Sequence, residues 1–465
     1  MIRITRAMRA RNPLITQTAA KTLRRMAEHP DAPRWNYVCG DRLTREDVRA
    51  LDVFRAELAA RRGARRPGPP GPGILGALAS FLPRVGLFRD RVPRGIDLAR
   101  DWELVPTTSR EDLAASPGAA MPDDCDLDRM VVHTTSGVTG HAILIPHDPR
   151  AGSAYKPLIE VALAAHGVRP EFRPDGVGAI LLGAQARTVT YATVHAAWNN
   201  SGFAKINLRP GDWPRKGSAG RWFEAMAPLL LTGDPVSFAG FLRLRPAVAP
   251  LAMLSTAVSL PRELARRLRE AYFCPVIDWY SLNETGPVAY ACPEGALHVL
   301  SHDLFVEAID DRGRQVPAGT RGEITVSGGR NPFLPLLRYR TGDHARLDYG
   351  PCPCGDAMPR LEEFEGRPPV VFRATDGGAV IPVDVSRVLR RFPLVQHRLV
   401  QHPDLSCELV ARPVPGTRPD TELLRKTLRS LFGAKAKIGV RLDPRLGDRA
   451  PGGKVVPYES GCVLE

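Results

Sequence analysis

Three groups of residues in this sequence have the types and spacing to do chemistry. The first is Val131–Pro146, VVHTTSGVTGHAILIP: an apolar pair, then hydroxyls and glycines, then an aliphatic run. Its middle, Thr134-Thr135-Ser136-Gly137-Val138-Thr139-Gly140, is rich in hydroxyl and backbone N–H donors. Glycine lets the main chain come close to a ligand, and successive N–H groups form a concave nest for an anion. An isolated run of this kind is equally an ordinary Ser/Thr/Gly turn. It is not a Walker loop, because it lacks the Gly-Lys-Ser/Thr ending that supplies a phosphate lysine. The second group is Cys292, His298, Cys352 and Cys354, spaced Cys-Pro-Glu-Gly-Ala-Leu-His and then Cys-Pro-Cys-Gly. Thiolate and imidazole ligands of this kind suit a closed, tetrahedral structural zinc, a staple and not a catalyst. Cys352-x-Cys354 is tighter than the usual two-residue spacing, so four unrelated residues remain the alternative. The third group is scattered: Tyr280-Ser281-Leu282-Asn283-Glu284-Thr285, Tyr339-Arg340-Thr341-Gly342-Asp343 and Gly452-Gly453-Lys454. Taken singly, the first of these is a capping turn and the last a surface lysine in a glycine loop.

Together, and in this order, the loop and the three scattered stretches resemble the adenylate-forming (acyl-CoA synthetase and ligase) superfamily. They are closest to its phenylacetate-CoA ligase-like branch and span most of residues 131–454. The resemblance implies ATP- and Mg²⁺-dependent activation of a small acid, with attack on the α-phosphate and loss of pyrophosphate. It implies that Thr135, Ser136, Gly137, Thr139 and Gly140 cradle the outer phosphates and that Glu284 holds Mg²⁺. Tyr280 would stack on adenine, with Asn283 and Thr285 contacting nucleotide. Asp343 would accept hydrogen bonds from both ribose hydroxyls, which a carboxylate with two oxygens does well, and Arg367 would also reach the ribose. Lys454 would swing in to stabilise the adenylation transition state. Some members of the branch bind zinc at a similar Cys/His then Cys-x-Cys-Gly pattern. Coenzyme A is the expected acceptor. An amine acceptor, as in amide-forming relatives, activation of nitrite by a diazotising relative, and a degenerate nucleotide-binding protein are the alternatives.

Three departures bear on that choice. His141 stands where relatives carry the phosphate-loop lysine, and imidazole is largely neutral at pH 7 unless perturbed. Leu254-Ser-Thr-Ala-Val-Ser-Leu260 lies where relatives often carry Gly-Ala-Glu. Pro368-Pro369 follow Arg367, where relatives keep a hinge residue able to absorb a large backbone rotation, and proline fixes φ. The acid pocket is expected at Gly183–Arg187 and around Tyr280. Gln185, Arg187 and Tyr191 are polar where a phenyl slot would be apolar, which points to a small or polar acid, an aromatic one included.

The elements that must position these residues follow from pattern and composition. At 465 residues the chain calls for two or three domains. Its net charge of +14 suits polyanionic ligands such as ATP or coenzyme A, and no nucleic-acid-binding motif accompanies it. No apolar run approaches the about 18 residues that span a bilayer; the best, Ile74–Leu82, is closed by Pro83. Eight cysteines without a secretory signal argue for free thiols in a reducing cytoplasm. Residues 1–73 read as a helical N-terminal segment, with Thr44 capping a helix, followed by the Pro/Gly/Arg-rich connector Ala59–Gly73. Residues 74–365 read as a large α/β nucleotide- and substrate-binding domain. Gly178–Gly183 and Phe273–Trp279 are its buried strands, and Pro261–Tyr272 is a helix. The alternation of strand and helix predicts mostly parallel sheets with ligands at the carboxyl ends of strands. Residues 366–465 read as a small mobile α+β domain carrying Lys454, hinged near Gly366-Arg367. Partners are the acid, ATP and the acceptor, without nucleic acid or membrane; oligomeric state is left open, a homodimer among the options.

Overall fold

The computed structural model describes residues 4–60, 67–134, 143–185, 188–365, 371–380, 382–448 and 455–462. Six helices come first: α1 (Arg6–Arg11), α2 (Gln17–Glu28), α3 (Arg45–Ala59), α4 (Pro72–Phe81), α5 (Gly86–Arg91) and α6 (Arg110–Ala115). The cap expected at Thr44 is a full capping box, in which Thr44 Oγ1 accepts from the Asp47 N–H and the Asp47 carboxylate accepts from the Thr44 N–H. Pro72 sits in the first turn of α4, so the connector's last residues open a helix whose body is the apolar run after Gly73.

The hairpin β1 (Val131–Thr134) and β2 (Leu144–His147) flanks residues 135–142 in sequence. Next come α7 (Pro149–Ser153), α8 (Tyr155–Ala165), β3 (Val177–Gly183), β4 (Tyr191–His195) and β5 (Ser201–Asn207). Then α9 (Ser218–Met226), β6 (Leu230–Gly233), α10 (Pro235–Leu244), β7 (Ala252–Ser255), α11 (Arg262–Tyr272) and β8 (Val276–Leu282) alternate. A run of strands follows: β9 (Gly286–Ala291), β10 (Leu297–Val299), β11 (Phe305–Ile309), β12 (Arg321–Gly328), β13 (Leu336–Asp348) and β14 (Arg360–Glu365).

Strands β3 to β14 form one sheet ordered β11-β12-β13-β14-β10-β9-β8-β7-β6-β3-β5-β4, and β1 and β2 pair separately. The chain is α/β as expected, but the parallel order holds only for β5-β3-β6-β7-β8. From β8 to β11 the pairing is antiparallel, because no crossover helix separates those strands and short connections cannot return a strand in parallel. The expected strand over Phe273–Trp279 also needs correcting. Phe273 is the C-cap of α11, in the left-handed region and 93 % exposed, and the strand starts at Val276.

In the parallel half, alternate residues go to opposite faces. Ile180, Leu182, Ala204 and Ile206 pack against α9, α10 and α11 through Trp222, Phe223, Phe241 and Leu268. Ala179, Leu254 and Ile277 pack against Leu158, Ala162 and Leu163 of α8. Burying a large apolar side chain stabilises by about 1.5–3 kcal/mol, so each face holds its helices firmly.

The C-terminal part holds β15 (Phe372–Arg373), β16 (Ala379–Val380), α12 (Pro382–Leu389), β17 (Leu394–Gln401), β18 (Cys407–Pro413), α13 (Thr421–Phe432), β19 (Ile438–Leu442) and β20 (Tyr458–Ser460). A four-stranded sheet, β19-β18-β17-β20, and its helices enclose a separate core built on Phe372, Leu409, Leu428 and Phe432. This part meets the large one through Val395 and Val414, which join the α10–α11 core, and through the Arg267 guanidinium donating to the Pro415 carbonyl. All eight cysteines are unbridged. No helix among the described residues is long and apolar enough to cross a membrane.

Candidate active site

The seam between the two halves of the sheet lies at β8, and the acids of interest gather beyond it. Tyr280 and Leu282 end β8, and a turn over 283–285 leads into β9. Gly286 makes that turn at φ +80, and a Cβ there would lie 2.9 Å from the Tyr155 ring, so only glycine fits. Tyr155, at the start of α8, donates to the Leu282 carbonyl at 3.4 Å. Glu284 is thereby held inside the protein, 3 % exposed, while Asn283 is exposed and Thr285 buried.

Two hydrogen bonds join the separate motifs. The Tyr339 hydroxyl donates to Glu284 Oε1 at 2.9 Å, and the Tyr280 hydroxyl donates to Asp343 Oδ2 at 2.6 Å. Asp343 is fixed further by its own N–H, which donates to Thr341 Oγ1 at 3.1 Å. The Tyr280 ring lies 4.4 Å from that of Phe364 on β14. Glu284, Tyr280, Asp343 and Thr285 thus share one buried region formed by strands that are distant in sequence.

One residue of this region was not singled out from sequence. Arg110, at the start of α6, places Nη1 3.6 Å from Glu284 Oε1, with its side chain largely buried. Its position is built by a network. Arg338 and Glu307, both buried, pair at 3.0 Å; Arg338 also donates to the Val105 and Gly313 carbonyls, and Trp102 donates to Glu307. Thr108 then bridges to Tyr339 in parallel register and Ser109 caps α6, which delivers Arg110 to the carboxylate. The only sequence signal was Thr-Ser-Arg-Glu-Asp, a cap followed by acids in a first turn, and that pattern says nothing of a partner so far along the chain.

On the hairpin, His133 of β1 and His147 of β2 face each other edge to face at 4.9 Å. Burial pushes the His147 imidazole down to about 4, helped by His133 and opposed by a hydrogen bond with the Asn283 backbone. Thr135, Ser136, Gly137, Thr139, Gly140, His141, Arg187, Arg367, Pro368, Pro369 and Lys454 lie outside the described residues.

Cys292, His298, Cys352 and Cys354 come together, with their ligand atoms all within 4.8 Å of one another. Cys292 Sγ is 4.0 Å from Cys352 Sγ, and His298 Nε2 is 3.3 Å from Cys354 Sγ. A tetrahedron of ligands at about 2.3 Å from zinc has edges of roughly 3.8 Å, so these donors fit one ion. His298 Nδ1 lies 3.0 Å from the Met358 carbonyl, a hydrogen bond that would leave Nε2 for metal. The four residues pin the end of β9, β10 and the loop before β14.

No protein-family model matches the chain. It is 32 % identical over 123 residues to the phenylacetate-coenzyme A ligase of Thermus thermophilus, a match spanning 25 % of this chain and 27 % of that protein. It also resembles solved structures of a 2-hydroxyisobutyryl-CoA ligase. In the postadenylation state, in complex with 2-HIB-AMP, the TM-score is 0.62 at 16 % identity over 83 % of this chain and 88 % of that one. In the thioesterification state, with 2-HIB-AMP and CoA, it is 0.51 at 18 % identity over 83 % and 89 %. The curated relative bears the name of the branch that the motifs resemble, and the fold is that of adenylate-forming CoA ligases.

Proposed function

We propose that this protein is an ATP- and Mg²⁺-dependent ligase of the phenylacetate-CoA ligase-like kind, which converts a small acid to its acyl-AMP and passes the acyl group to coenzyme A. The observation that carries this reading is the meeting of two motifs through Tyr339–Glu284 at 2.9 Å and Tyr280–Asp343 at 2.6 Å. In the adenylation step a carboxylate oxygen of the acid bonds to the α-phosphorus as the bond to pyrophosphate breaks. Asp343, oriented by Tyr280 and Thr341, accepts from the ribose hydroxyls. Glu284 is a buried carboxylate already steadied by Tyr339, and with phosphate oxygens it makes a suitable set for Mg²⁺, which offsets phosphate charge when bound. Arg110 adds a fixed cation beside Glu284, in a chain whose phosphate-loop sequence carries His141 in place of the lysine. Lys454, in the domain proposed for 366–465, supplies the donor for the transition state. The Cys292–His298–Cys352–Cys354 set holds a structural zinc.

A non-CoA acceptor, such as an amine, is the second reading, and Pro368-Pro369 at the hinge favours it because they restrict the rotation that exchanges the two half-reactions. ATP–pyrophosphate exchange over a panel of acids, nitrite included, followed by trapping with coenzyme A or amines, tests both. Acid-dependent exchange supports adenylation, and its absence with every acid refutes it.

A further inference from the structure

A cavity of about 330 Å³ opens where the C-terminal part meets the large one, lined by Arg262, Arg387, Arg390 and Arg391 with Ser386 and Phe364. Arg262 is the first residue of α11, and Phe364 lies on β14. Ser386 and Arg387 lie on α12, and Arg390 and Arg391 follow that helix directly. Both parts of the chain therefore turn cations into one space. Among the described residues Glu363 is the one acid of the lining. It is already engaged, pairing at 3.4 Å with Arg387, which also reaches Asp384 at 3.2 Å.

A bulge in β14 builds one wall. His344 pairs with Glu365 and Arg346 with Glu362, so Glu363 and Phe364 together stand opposite Ala345. Glu363 takes the left-handed region at φ 50, which a non-glycine residue keeps only where its surroundings hold it. The bulge sets Phe364 against the Tyr280 ring at 4.4 Å and Glu363 against Arg387. The Phe364 ring thus separates the cavity from Tyr280, whose hydroxyl donates to Asp343. The other three arginines are not neutralised: Arg262, Arg390 and Arg391 are exposed and form no ion pair among the described residues. Arg262 stands at the positive end of the α11 dipole, where a cation is unfavourable without an anion, and Glu263 beside it is taken by Arg266 at 2.6 Å. Asp278 feels the Arg390 charge, but burial pushes its carboxyl up to about 6, and its oxygens accept from the Leu260 and Trp279 N–H groups at 3.2 and 3.0 Å. Guanidinium forks match phosphate oxygens, and several around one hollow suit a multiply charged phosphate better than a single carboxylate. The volume is at the small end of the roughly 300–1,000 Å³ of ligand sites, a size for a diphosphate or a phosphorylated sugar.

We propose that this cavity binds a phosphate-bearing polyanion, held by Arg262 from one side of the seam and by Arg387, Arg390 and Arg391 from the other. When filled, it ties α12 to α11 and steadies the C-terminal part against the large one. Inorganic pyrophosphate and the 3′-phosphorylated end of coenzyme A both carry this chemistry.

The test is titration calorimetry on the full chain at about 0.15 M salt, without ATP, acid or Mg²⁺, with pyrophosphate, coenzyme A and dephospho-coenzyme A as probes. At least one probe should bind the wild type. Arg262→Gln and Arg391→Gln, on opposite sides of the seam, should each weaken that binding roughly 10-fold, as for loss of one charge-assisted hydrogen bond. Arg391→Lys should weaken it less. Within that result, coenzyme A bound roughly 10-fold or more tighter than dephospho-coenzyme A identifies the 3′-phosphate as the ligand group. Pyrophosphate bound as tightly as coenzyme A identifies the free anion. No saturable binding of any probe to the wild type overturns the inference, as does binding that both glutamine variants keep. Binding that Arg110→Met abolishes also overturns it, because the anion then sits beside Glu284. Both substituted arginines are exposed, so the fold survives their loss, and the wild-type titration needs no variant. None of the probes is turned over here, so ATP–pyrophosphate exchange tests adenylation separately.

Discussion

Removing one ligand of the Cys/His cluster should unfasten the sheet at the point where the active-site strands meet. Cys292 follows β9, His298 lies on β10, and Cys352 and Cys354 lie in the loop leading to β14. β9 pairs with β8, which carries Tyr280, and β14 pairs with β13, which carries Asp343. His298 is fully buried, so its loss as a ligand leaves an imidazole nitrogen facing thiols with no water to replace the metal. With zinc at about 1,000 times its dissociation constant, binding stabilises the folded state by about 4 kcal/mol. For a domain larger than about 250 residues, each kcal/mol moves the melting temperature by about 2 °C, so the expected fall is roughly 8 °C. Cys354→Ser is the perturbation. Elemental analysis should find about one zinc per chain in the wild type and a large loss in the variant, and calorimetry should show the drop in melting temperature. Cys125→Ser, outside the cluster, should change neither. A wild-type protein that is metal-free as purified, melts at the same temperature with and without added zinc, and is unaffected by Cys354→Ser would refute the reasoning.

Arg110→Met should lower kcat/KM for ATP in adenylation on the order of 10²-fold, with partial recovery in Arg110→Lys, as expected for a fixed cation beside developing charge; unchanged kinetics would remove Arg110 from the site. Lys454→Ala should slow formation of the adenylate by on the order of 10²–10³-fold and still consume chemically synthesised acyl-AMP with the acceptor; equal slowing of both half-reactions in a folded variant contradicts its role. His147 gives a pH signature. Its folded pKa, about 4, lies below the ordinary 6.5, so the unfolded chain binds the proton first as pH falls. Its contribution, about 3 kcal/mol, is present above pH 6.5 and lost as pH drops towards 4. Urea denaturation from pH 7.5 to 4.5 should show this fall in wild type and a shallower one in His147→Asn; parallel curves would argue against it.

Much of the fold was legible where one local rule decides. Thr44 with Asp47 three residues on could only be a helix start, and the β-rich run at Gly178–Gly183 is a strand because both of its faces meet helices. Phe273 was misread because an apolar run does not reveal where the preceding helix turns left-handed. The antiparallel half of the sheet was missed because hairpin connections, unlike crossover helices, leave no periodic signal. Within the site, Glu284 and Asp343 stand out by their flanking residues, whereas the link from Arg110 to Glu284 depends on the Arg338–Glu307 network, and no local pattern encodes a contact between segments so far apart. Tyr339 was read only as part of the motif leading to Asp343, yet its hydroxyl goes to Glu284.

The central claim is that this chain adenylates an acid at a Glu284-dependent site. The most direct measurement is acid-dependent ATP–pyrophosphate exchange at limiting Mg²⁺, in wild type and in Glu284→Gln, which keeps the shape and removes the charge. Glu284→Gln should keep the wild-type melting temperature within a few degrees and lose exchange severely, with partial recovery at high Mg²⁺. Exchange at the wild-type rate in Glu284→Gln at limiting Mg²⁺ would contradict the account.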